Sequence, residues 1–168
     1  MPGVPGYGRH KPSSLHQWHP EFEVQNVASQ CTEGKNPNMP VVRTSKNPMS
    51  AENRPEWSAV TSAGIFRVPC EGGWFDCHYH DCNEYWLVFA GKAKVLSEGK
   101  TYHVSAGDIV CTKAGDEHDV LEVYEDLQAF WFEDATPEGG RIGHLHRDAK
   151  KTLGHAVPAL PIPANFPE

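Results

Sequence analysis

The sequence predicts an all-β fold: short strands making a sandwich or barrel, between two irregular ends. Three observations carry this. From residue 56 onward, short runs of aromatic and β-branched residues are separated by turn signals. Fifteen glycines and fourteen prolines break the chain too often for long helices. The stretch 72–91, GGWFDCHYHDCNEYWLVFAG, opens and closes on glycine and carries a histidine pair at strand spacing.

The elements follow in order. Residues 1–55 are expected to be an irregular arm, punctuated by PGVPGYG, GKNPNMP and SKNPMS, with one weakly alternating strand at 21–28. The arm is either disordered or wraps the domain or a second subunit. Residues 56–135 form the β domain. Residues 57–69 supply one strand or a bent pair, then Glu71-Gly72-Gly73 turns into a strand at 74–80 and another at 84–90. Gly91-Lys92 reads as a tight hairpin connection. Strands at 93–98, 101–104, 109–113, 118–124 and 126–132 follow, with turns at Gly99-Lys100, 105–108 and 114–117. Residues 136–168 form a tail, with a short helix expected over 141–153 and a proline-rich extended end.

Charge and composition narrow the function. A net charge of -7 and the lack of a basic patch argue against nucleic acid. No apolar run approaches the ~20 residues of a membrane span, and the first residues lack a secretory apolar core. A soluble cytoplasmic protein is expected. Five cysteines, an odd number, are expected to be thiols, with Cys77 and Cys82 as small buried side chains.

His78 and His80 share one strand face, because side chains alternate with a period of two. A turn at Asp81–Asn83 returns Glu84 to that face. His118 opens a strand after the turn 114–117, where ligands gather at the mouth of a small barrel. His78, His80, Glu84 and His118 are therefore expected to hold one divalent transition metal; Fe, Mn, Ni, Co, Zn and Cu all suit this donor set. His16 and His19 read as surface residues, His103 as surface or pocket rim. His144 and His146 read as non-ligands, because on a helix an i,i+2 pair does not share a face.

The spacing Gly72, His78, His80, Glu84, Gly91 resembles the first motif of the cupin superfamily at every position. Gly107, Lys113-Ala114-Gly115, His118 and Glu122 resemble the second, with Lys113 where proline is usual and Glu122 where asparagine is usual. The resemblance covers about residues 60–133. It implies a double-stranded β-helix, or jelly-roll, barrel that is often a homodimer. It also implies a metal centre with a small-molecule substrate, while leaving the reaction open.

Strand parity then nominates the surroundings. Trp74 and Asp76 would share the His78 face, Trp86 and Val88 the Glu84 face, and Val120, Glu122 and Tyr124 the His118 face. Glu122 and Asp76 are the candidate general bases, and Trp74, Trp86 and Tyr124 the candidate substrate-binding residues. A metal-dependent isomerase, epimerase or lyase acting on a small, sugar-like oxygenated substrate is expected. A non-haem iron dioxygenase and a non-enzymatic small-molecule-binding domain are the alternatives.

Overall fold

The computed structural model describes residues 41–134 and 142–167. The strand expected at 21–28, His16, His19 and Cys31 lie outside the described residues. The seven strands are β1 (Ser62–Val68), β2 (Trp74–Phe75), β3 (Glu84–Ser97), β4 (Lys100–Ser105), β5 (Ile109–Thr112), β6 (His118–Glu133) and β7 (His155–Ala156). A 3-10 turn spans Ala149–Leu153. Before β1, residues 41–61 make turns and end in a bridge between Met49 and Ala63.

The large sheet is antiparallel, in the order β1-β6-β3, with β4 and β5 sharing the far edge of β3. It fits a jelly roll, but its hydrogen-bonded strands do not close into the expected barrel among the described residues. A core of valines lies inside, with Val88, Val95, Val120 and Val123 at most 1% exposed. Each such side chain contributes about 1.5–3 kcal/mol on burial.

One expected turn and one expected break between strands are instead bends within long strands. Gly91 does not end a strand: β3 runs through it, paired with β6 on both sides. Pairing registers slip between Val88 and Ala93, and the buried residues switch from Glu84, Trp86 and Val88 to Ala93, Val95 and Ser97. An added residue at a bulge produces that switch and bends the strand. Gly91 has φ 83, and a Cβ there would run into the Asp126 carbonyl, so a side chain is excluded twice over. Paired with β3 through several register shifts, 118–124 and 126–132 are likewise one strand. The β3–β4 turn centres on Glu98 and Gly99, both with positive φ, one residue earlier than expected.

The tail also departs from expectation. Only 149–153 is helical among the described tail residues, and Leu145 forms a bridge with Tyr79, the two exchanging backbone hydrogen bonds of 2.9 Å each way. Beyond it, β7 pairs with β2, and Val157 N–H donates to the Gly73 carbonyl at 2.9 Å. Val123 N–H donates to the Pro158 carbonyl and Leu160 N–H to the Val123 carbonyl, at 3.0 and 2.9 Å. The tail is a strap across the sheet, and long-range pairing overrides the weak local helix signal.

Candidate metal centre

Three backbone devices bring the four expected ligands together. His78 and His118 form an antiparallel pair, His78 N–H to the His118 carbonyl at 3.2 Å and the reverse bond at 2.8 Å. Gly115 N–H donates to the His80 carbonyl at 2.8 Å. Asn83 ties the intervening turn down, accepting from Ala114 N–H and donating to Asp134. Glu84 then opens β3 facing inward, as expected.

All four side chains are buried, none more than 6% exposed. One ligand atom from each lies within 4.8 Å of the others. His118 Nε2 is 2.9 Å from His78 Nε2 and 3.0 Å from Glu84 Oε2, and His80 Nε2 is 2.8 Å from the same oxygen. The outward nitrogens set the tautomers. His78 Nδ1 donates to the Asp76 carbonyl at 2.6 Å and His80 Nδ1 to the Gly143 carbonyl at 3.1 Å, leaving both Nε2 lone pairs aimed inward. Trp86 Nε1 donates to Glu84 Oε1 at 3.0 Å. Glu84 Oε2 is buried without a well-formed hydrogen bond. Inward lone pairs around a buried carboxylate oxygen fit a divalent cation.

Electrostatics agree. Burial, then the neighbouring His118 ring, push the His78 pKa down to about 3, so the ring is neutral. Burial alone would raise Glu84, but the imidazoles of His118 and His80 outweigh it and hold the carboxyl well below its usual range.

The cluster opens onto a cavity of about 160 Å³ lined by His78, Glu84, Phe66, Phe75, Trp86, Trp131 and His144. Trp86 is thus at the cavity, as expected. Trp74 is not: it is 58% exposed, and Phe75 takes its place, stacking on His78 at 5.7 Å. The regular strand stops at Phe75, so parity does not carry from 78 back to 74.

Parity fails at Glu122 too. Val95 faces Val120 but Lys94 faces Glu122, so Leu121 is an extra residue in β6. Val123 therefore turns inward and Glu122 outward. Glu122 accepts from Lys94 Nζ at 3.1 Å and Tyr124 Oη at 2.6 Å, and Tyr124 packs near His103 and Phe166. The Tyr124 hydroxyl lowers the Glu122 pKa, against burial and with help from Lys94.

Asp76 does reach the centre, in company that sequence reasoning missed. Its Oδ2 lies 2.9 Å from His144 Nδ1, 3.0 Å from His146 Nε2 and 3.4 Å from His78 Nδ1. Burial would raise its pKa, but the His144 hydrogen bond, His78 and the His146 hydrogen bond hold it well below the carboxylate range. His144 stacks on His78 with ring centres 3.6 Å apart and planes 6° from parallel. The available signal was the HxH spacing of GHLHR, which shares a face when extended. Phe66 and Trp131 come from β1 and β6, where Gly64 leaves room for the indole: a Cβ there would lie 2.6 Å from Trp131 Nε1.

A histidine-rich cluster of metal-binding type on a jelly-roll sheet defines the class. Residues 64–133 match the family described as Cupin domain, so this part of the chain is of cupin type. The uncharacterized protein y4oW of Sinorhizobium fredii is 39% identical over 71 residues, which are 42% of this chain and 33% of that protein. The chain thus matches about a third of the length of that relative. Among solved structures, the DMSP lyase DddQ from Ruegeria pomeroyi aligns with a TM-score of 0.47 and 23% identity, over 56% of this chain and 48% of that one. Salicylate 1,2-dioxygenase from Pseudaminobacter salicylatoxidans aligns at 0.40 and 18%, over 44% of this chain and 20% of that one. A double-stranded β-helix protein from Klebsiella pneumoniae aligns at 0.44 and 19%, over 54% and 78%.

Proposed function

We propose that the chain is a metal-dependent enzyme acting on a small oxygenated molecule, of the isomerase, epimerase or lyase type. The observation that carries this is the buried convergence of His78, His80, Glu84 and His118 on a small cavity with aromatic walls. A divalent ion held by these four residues would supply a Lewis acid for a carbonyl or hydroxyl oxygen. The chain supplies the rest. Phe66, Phe75 and Trp131 keep bulk water from the reacting atoms and limit the ligand to small size. Gly143 and Asp76 fix the His80 and His78 rings through their outer nitrogens. Asp76 orients the imidazoles around the centre rather than lining the cavity, and Glu122 is engaged outside.

Metal analysis of the purified protein tests the reading. Wild type should carry about one equivalent of a transition metal, and His78→Ala and His118→Ala at least about tenfold less at equal fold content. A wild-type protein without stoichiometric metal sinks the proposal. The apolar cavity wall also favours a second reading, an iron-dependent dioxygenase. That activity would vanish without O2, while isomerase or lyase turnover would persist.

A further inference from the structure

Resting on the proposed metal centre, we infer that His144 accepts a hydrogen bond from the metal-bound ligand, and that Asp76 is the positioning residue that makes it an acceptor. Outside the four-residue cluster, His144 is the one cavity-lining side chain among the described residues with an acceptor atom to offer. Tryptophan only donates. His144 Nδ1 faces a carboxylate oxygen at 2.9 Å, and a carboxylate only accepts, so Nδ1 carries a proton and the neutral ring offers its lone pair at Nε2. His146 grips the same oxygen at 3.0 Å and steadies it. Parallel stacking on His78 keeps the ring beside a metal-ligand imidazole. The backbone bridge of Leu145 to Tyr79 holds the segment that presents it.

The ligand class follows. A molecule with one oxygen on the metal and a hydroxyl one or two bonds away would place that O–H against Nε2, and the cavity of about 160 Å³ admits only a small one. Small hydroxy acids and hydroxy ketones meet both conditions.

Glycolate and acetate, matched anions differing by one hydroxyl, make the test. Each is titrated into the cobalt(II)-loaded protein and followed by visible absorption, for wild type, His144→Phe and Asp76→Asn, with cobalt content measured for each. His144→Phe keeps the stacking and loses the acceptor. Asp76→Asn replaces a group that only accepts by an amide that can also donate to Nδ1, which frees the ring proton to sit on Nε2 while leaving the imidazole in place. In both variants the preference for glycolate over acetate should fall about fivefold or more, with acetate affinity little changed. A role confined to structure would weaken both anions alike. An unchanged preference in the cobalt-loaded His144→Phe protein overturns the assignment, an unchanged preference in Asp76→Asn alone overturns the part given to Asp76, and both leave the metal centre standing. A wild-type protein that takes up no cobalt overturns the metal centre, and this assignment with it.

Discussion

Single atoms decide much of the site. Gly64 lies opposite Trp131 in the β1–β6 register, and its missing side chain is the space the indole occupies. Gly64→Ala should cost about 1–3 kcal/mol in urea unfolding and shift tryptophan emission, because the ring must leave the cavity wall. Unaltered stability and emission would show that the indole does not depend on that space. The face shared by His78, His80 and Glu84 was legible from spacing alone, since an i,i+2 pair and a return to strand fix a face without knowledge of partners. Glu122 was not. One extra residue, Leu121, inverts the parity of all that follows in β6, and nothing in LEVYED marks it as a bulge.

At the scale of the element, the strap carries the same lesson. GHLHR has helical and extended readings of similar local merit, and Tyr79, more than sixty residues earlier in the chain, decides between them. Val157, 4% exposed, anchors the strap in the core. Val157→Ala should cost about 2 kcal/mol and speed hydrogen exchange at the Val123 and Leu160 amides. Equal exchange in both proteins would mean the anchor lies elsewhere. The β7 latch adds a pH dependence. Burial pulls the His155 pKa down, but the Asp119 hydrogen bond at 2.8 Å outweighs it and the net shift is upward, with Asp76 adding to it. Asp119 is itself pushed up by burial, with Lys151 and His155 opposing. A histidine that binds its proton more tightly when folded stabilises fully below its unfolded value, ~6.5. That contribution is lost as pH rises through the raised one. Thermal melts from about pH 6 to about pH 8.5 should therefore show a fall in stability that His155→Gln flattens.

For the whole molecule, the centre joins segments that would otherwise carry buried polar groups without compensation. Removing a bound ion with a chelator should lower the melting temperature by several degrees and be reversed by adding metal back. An indifferent melting curve for a metal-containing preparation would count against binding at the buried cluster. No helix among the described residues is long and apolar enough to cross a membrane. The alternation of the strands made the all-β class readable. The bend in β3 was hidden because a glycine with positive φ serves a hairpin and a bulge equally well.

The strap has one more consequence. His80 meets Gly143 across 63 positions of sequence, and Asp76 meets His146 across 70. On the proposed reading, the stretch that would grip an ion and the stretch that would stand opposite the ligand are written in different parts of the chain. Exchanging residues 144–160 for another tail, with Gly143 kept to orient His80, should then change what the site selects more than what it holds.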